Sequence, residues 1–243
     1  MIAPNIKFVY LFEFTKFKKE FFFVCVIIRT MYKTGIETKQ NILDCARKLF
    51  YKKGYKQTSV QQICHAADAK LGTFTYYYPK KQDLLSYIYT DYMQKCVYYV
   101  ESNTENLSPP RQHLYTVMMY YGKLYTDTRI TSFHQEVLEI GSMNVWFHNP
   151  RVLISGYSGR ATGESNDEFY NLCVQADNAV RRELNLDFIS QGKFTLSDIR
   201  ELMHKIYMIN ARLFQLSQEQ TETDLEAAFQ FLCTHQDAPI RLL

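Results

Sequence analysis

The stretch 58–84, TSVQQICHAADAKLGTFTYYYPKKQDL, constrains this chain more than any other. Thr58 stands three residues before Gln61, the spacing at which a hydroxyl caps the first free amides of a helix while a Gln side chain reaches back to the cap. Val60, Ile63 and Cys64 then recur at helical spacing, and Ala66 and Ala67 are small enough for a second helix to cross closely. Asp68 and Ala69 form the link, and Asp adopts the left-handed conformation more readily than most residues. A second helix opens at Lys70-Leu71-Gly72-Thr73. Phe74 and Tyr78 fall four apart and are expected to pack inward, leaving Tyr76 and Tyr77 to point away. Beyond Pro79 a third helix begins at Lys80-Lys81-Gln82-Asp83, with the Asp at the positive end of its dipole. Two short helices joined by a tight turn, with aromatic hydroxyls and lysines on the second, make a shape suited to DNA. On this reading Lys70, Leu71, Gly72, Thr73 and Tyr76 face the groove, while Thr58, Tyr77, Lys81 and the free amides beside Lys81 hold phosphates.

Charge agrees with such a division of labour. Residues 31–85 carry 10 Lys/Arg against 4 Asp/Glu, and residues 86–243 carry 13 against 19, so the formal net charge of +3 conceals a basic segment on an acidic body. Basic residues at a DNA surface release counterions, and an acidic remainder keeps the rest of the molecule off the duplex.

In these residues the chain resembles the TetR family of bacterial transcriptional regulators. The likeness runs from Lys39 to about Leu85: ILDCARKLFYKKGY, then TSVQQI, then GTF, then the aromatic run and K-x-D-L. It implies an all-α dimer, most often a repressor that leaves its double-stranded DNA operator when a small molecule enters the C-terminal half. The chain departs from the family pattern in having Asp68 where Gly is usual, Lys70 where a small polar residue is frequent, and Thr75 where a Tyr is common. At Thr75 a phosphate contact is either absent or made by a shorter hydroxyl. These changes bear on which operator is read.

The apolar runs of the first thirty residues, FVYLFEF and FFFVCVII, are broken by Lys16, Lys18, Lys19 and Glu20, too short for the roughly 18 to 20 residues of a membrane span. No signal-peptide cleavage pattern follows them. Residues 1–30 are read as a non-native or disordered extension ahead of Met31, with an extra helix packed on the head as the alternative; 31–85 as the helix-turn-helix domain; and 86–243 as a helical effector-binding and dimerisation domain. A cytoplasmic location is expected. Six cysteines show no C-x-x-C and no zinc spacing with the six histidines, so reduced thiols and no metal or cofactor are expected. Cys45 and Cys64 belong on the inner faces of the first two helices. The chain has no Gly-rich phosphate loop, H-E-x-x-H or G-x-S-x-G, which argues against an enzyme.

Beyond the head, helices are expected over 82–102, from Pro109 (capped by Ser108) through Tyr125, over 129–143, 164–187 and 197–216, and over 223–234, with a loop at 145–163. No strand alternation stands out, so the fold class is all-α. The stripes Ile199, Leu202, Met203, Ile206, Leu213 and Leu225, Ala228, Phe229, Leu232, Cys233 fit either the chain's own core or a four-helix bundle with a second copy. The resemblance favours the bundle, because a palindromic operator calls for two heads. For an apolar or aromatic effector, the candidate lining is Tyr98, Met118, Tyr121, Tyr125, Phe133, His134, Trp146, Phe169 and Asp177. The rival readings are a same-fold regulator that acts through a protein partner, and an activator that senses no small molecule.

Overall fold

The structure, a computed structural model, describes residues 35–141 and 168–243. The apolar runs before residue 35, the loop expected at 145–163 and Trp146 lie outside the described residues, and nothing is described of the Phe169 side chain. Nine helices and no strand occur among the described residues. They are α1 (35–53), α2 (Val60–Ala66), α3 (Leu71–Tyr77), α4 (Asp83–Asn103), α5 (Pro109–Leu124), α6 (Thr128–Glu139), α7 (Glu168–Gln191), α8 (Leu196–Leu213) and α9 (Gln218–Thr234). No described helix is long and apolar enough to cross a membrane.

Local chemistry sets the boundaries. Asp127 caps α6, its Oδ1 accepting from Arg129 N at 2.8 Å. Thr195 and Asp198 form a reciprocal capping box at α8, and Ser217 caps α9 through Gln220 N. The expected third helix of the body runs on to Met143, but α6 stops at Glu139, because Gly141 takes φ +65° and its amide turns back to Leu138 O. Likewise α9 begins five residues before the expected Thr223, since the Ser217 cap precedes a polar first turn that carries no apolar periodicity.

The four helices α4, α5, α8 and α9 pack side by side, with α7 against α8 and α6 against α7. The long α4 gives Leu84, Leu85 and Ile88 to the core near α1–α3, then Tyr92, Cys96 and Val100 to the core of the body. The boundary expected at residue 85 therefore falls inside one helix. Ile199, Leu202, Met203 and Ile206 of α8 and Leu225, Ala228 and Leu232 of α9 are buried against the chain's own core. Leu213, Phe229 and Cys233 of the same stripes are half-buried. Arg200, Glu201, His204, Glu219, Glu222 and Glu226 line a groove between α8 and α9.

Candidate nucleic-acid interface

The helix pair forms as the sequence requires, with one cap reassigned. Ser59, not Thr58, is the N-cap of α2: its hydroxyl accepts from Gln62 N while Gln62 Oε1 accepts from Ser59 N at 3.1 Å. Thr58 is 1% exposed and its hydroxyl donates to Gly54 O at 2.7 Å. Its expected phosphate contact is thereby corrected, because the side chain is turned into the protein.

The turn after α2 closes on Asp68, whose φ of +48° is left-handed. The Ala69 amide donates to Cys64 O at 2.9 Å and the Asp68 amide to His65 O, the pattern of a helix ended by a left-handed residue. From α1, Asn41 Nδ2 donates to Ala67 O at 2.9 Å, and Cys45 Sγ lies 3.3 Å from Ala66 O. Two residues of α1 thus hold the last carbonyls of α2. Sequence reading missed Asn41, since nothing in its spacing shows a partner 26 residues away.

Helix α3 has two opposite faces. Phe74 and Tyr78 are 1% and 0% exposed, and the Tyr78 hydroxyl donates to Lys39 O at 3.1 Å, fixing α3 to α1. On the other face Lys70, Leu71, Gly72, Thr75 and Tyr76 are exposed, with Thr73 half-buried. Leu71 is 56% and Tyr76 79% exposed, which leaves two large side chains facing solvent side by side on a short helix. A Cβ at Gly72 would meet nothing within 4 Å, so the protein's own packing does not demand glycine there. The Thr75 hydroxyl donates back to the carbonyls of Leu71 and Gly72, each at 3.1 Å, and keeps its lone pairs outward. Tyr77 is half-buried, edge-on to Tyr76 with ring centroids 4.9 Å apart.

The turn into α4 differs most from expectation. Asp83 Oδ2 accepts from Lys80 N at 2.7 Å, so the carboxylate takes one of the amides expected to serve a phosphate. Lys81 Nζ donates to Tyr55 O and to Thr58 O, both at 3.0 Å, and lies 3.9 Å from the centroid of the Tyr55 ring. Burial lowers its pKa, and Glu136 opposes the fall. The same burial pushes the Tyr55 hydroxyl up to about 12. A phosphate at Lys81 would have to compete with two carbonyls and a ring, whereas its neighbour Lys80, which the sequence reading passed over, is exposed.

The expected effector lining is brought together in part. Tyr121, Tyr125, His134 and Asp177 are all buried. Tyr125 packs against Tyr121, His134, Phe188 and Phe194, and its hydroxyl donates to Asn185 Oδ1. The Tyr89 hydroxyl and His134 Nδ1 share a hydrogen bond of 2.8 Å. Asp177 Oδ1 and Oδ2 accept from Arg181 Nε at 3.0 and 2.9 Å, and with its amide turned Asn210 donates to Oδ1 at 2.7 Å. Burial alone would lower the Arg181 pKa, but Asp177 raises it. Phe133 instead stacks on Phe50 of α1, and Met118 lies under the groove between α8 and α9. Tyr98 is 73% exposed on the outside of α4 and does not line the interior, a correction that follows from α4 packing on α5 through its other face. Arg181, Asn185 and Asn210 were not foreseen, because polar residues on a helix read as solvent-facing until their partners are known. Among the described residues no group of His, Cys, Asp and Glu is arranged to hold a metal ion.

Comparison with known proteins gives one family and two relatives. Residues 42–88 match the family model of bacterial regulatory proteins, tetR family. The probable HTH-type transcriptional regulator YttP of Bacillus subtilis (strain 168) is 26% identical over 110 residues, covering 44% of this chain and 53% of that protein. The chain thus spans about half the length of that curated relative. A solved structure of the TetR family protein CprB from S. coelicolor A3(2) aligns over 81% of this chain and 98% of its own, at 12% identity and a TM-score of 0.35. Over residues 42–88, which hold the turn, the buried Phe74–Tyr78 face and the exposed α3 face, the chain is similar to bacterial regulatory proteins of the tetR family.

Proposed function

We infer that this chain is a sequence-specific DNA-binding transcriptional regulator, a homodimer that acts as a repressor and leaves its operator when a small molecule binds the body. The observation that carries the DNA-binding part is the exposed face of α3. Lys70, Leu71, Gly72, Thr75 and Tyr76 stand outward on a helix whose other face is locked into α1 by Phe74 and Tyr78. An exposed leucine beside an exposed tyrosine, with open space at the intervening glycine, fits a surface that a duplex covers. Lys80 and Tyr77 are the phosphate partners this geometry favours. The dimer would use the outer faces of α8 and α9, polar along their groove and with Leu213, Phe229 and Cys233 only half-buried. The effector reading rests on the Tyr121, Tyr125, His134 and Asn185 cluster, where aromatic rings and hydrogen-bonding groups lie together. The same rings fill that interior, and this favours as second reading a same-fold regulator that answers to a protein partner.

The test is fluorescence anisotropy of the full chain on DNA flanking its own gene, at two salt concentrations and with competitor. Binding that resists competitor is expected, with Lys80→Ala weakening specific and nonspecific affinity alike and lowering the salt slope by about one. Lys70→Ala is expected to change the preferred base. If Lys80→Ala changed sequence preference and left nonspecific affinity intact, these roles would be wrong. A small-molecule screen by melting shift, read with operator release, separates the effector reading from the partner reading.

A further inference from the structure

The loop 54–58, between α1 and α2, is held from two sides. From the body, Glu136 Oε2 of α6 accepts from Lys56 N at 2.8 Å, and Glu139 Oε2 pairs with Lys56 Nζ at 2.6 Å. The Glu136 carboxylate lies so close to Gly54 that a Cβ there would stand 2.7 Å from Oε1. From the head, Lys81 reaches the carbonyls of Tyr55 and Thr58 and the face of the Tyr55 ring. Lys81 follows the end of α3 at Tyr77 by only four residues. The chain between them is stiff, since Tyr78 is fully buried and Pro79 comes next. Movement of the loop therefore has a short, bonded route to α3 that does not pass along α4.

We propose that Lys81 is a positioning residue and not a phosphate contact: it ties the loop gripped by Glu136 and Glu139 to the turn behind α3, so that α6 sets where α3 stands. The half-buried ammonium is suited to this work. Its two carbonyl acceptors and the ring satisfy it within the protein, and Glu136 helps keep it charged. The consequence for DNA rests on the reading of α3 as the DNA-facing helix; the structural linkage does not.

Two measurements test it. In the free protein, Glu136→Ala and Lys81→Met should each shift the backbone amide resonances of Leu71–Tyr77, and the double variant should add little to either, because both cut one route. Shifts from Glu136→Ala that stop within residues 54–58 would overturn the proposal. On DNA, both variants should lose specific affinity roughly five- to tenfold while nonspecific affinity and the salt slope stay at wild-type values. A Lys81→Met variant that lowered specific and nonspecific affinity equally, with the salt slope smaller by about one, would make Lys81 a phosphate contact and also overturn it. Glu136→Ala removes no apolar side chain and carries both arms should Lys81→Met not fold. A wild-type chain with no specific operator would sink the functional reading, and the amide shifts would still decide the linkage.

Discussion

Asp68 holds the only left-handed backbone between α2 and α3, at φ +48°, and the orientation of the second helix depends on it. Glycine takes that conformation freely, Asp at small cost and a β-branched residue at about 1–2 kcal/mol. Urea unfolding should accordingly find Asp68→Gly within about 0.5 kcal/mol of wild type and Asp68→Val destabilised by about 1–2 kcal/mol. A neutral Asp68→Val would mean that the turn does not have this geometry. Asp68 was legible because turn chemistry is local. The cap one helix earlier was only half legible, since the sequence offers two overlapping boxes, Thr58 with Gln61 and Ser59 with Gln62. Burial chooses between them: Thr58 spends its hydroxyl on Gly54 O, so Ser59 caps. Lys81 was not legible at all. Its acceptors lie 26 and 23 residues back along the chain, and only the fold brings them to it.

Among the described elements, α5 and α9 approach closely at Gly122. A Cβ built on Gly122 would lie 2.4 Å from Leu232 Cδ1 and 3.1 Å from its Cγ, and Leu232 is 1% exposed, so the leucine cannot swing into solvent. Gly122→Ala should therefore destabilise by about 1–3 kcal/mol through overpacking, even though alanine is the better helix former. The check is a double-mutant cycle with Leu232→Ala, in which the pair should cost less than the sum of the singles. Additive losses would show that the two side chains do not compete for one space. Apolar periodicity found α8 and α9 and their stripes. It did not tell which body of residues those stripes face, because a stripe packed on its own chain and one packed on a second copy have the same spacing. Helix ends were read worst where a cap precedes a polar turn, as at Ser217, or where a glycine ends a helix that its sequence would continue, as at Gly141.

On the scale of the whole molecule, two neutral histidines lie among the packed helices, His134 buried and His113 half-buried. His113 and His134 are both held down to about 3, each chiefly by burial, His113 also by the nearby Arg181. Each keeps a tyrosine hydroxyl as partner: Tyr207 at 3.2 Å for His113 and Tyr89 at 2.8 Å for His134. In the unfolded chain both titrate near about 6.5, so below that pH the unfolded state binds protons that the folded state refuses. Stability should be full above about pH 6.5 and fall as the pH drops toward about 3, with a slope that approaches roughly 1.4 kcal/mol per pH unit for each histidine. The described carboxylates whose pKa is lowered, Asp127, Glu139, Asp198 and Glu226, lose their contribution only below their own unfolded values of about 4. Asp177, pushed up by burial, works in the opposite sense. The window between about pH 6.5 and 5 therefore belongs mainly to His113 and His134. Urea midpoints measured across it should decline for the wild type, and His134→Gln should remove about half of the decline. A wild-type midpoint that stayed flat from pH 6.5 to 5 would show that these histidines take up protons within the folded protein, and the packing of α4 against α6 and of α5 against α8 would then have to be looser than the hydrogen bonds to Tyr89 and Tyr207 require.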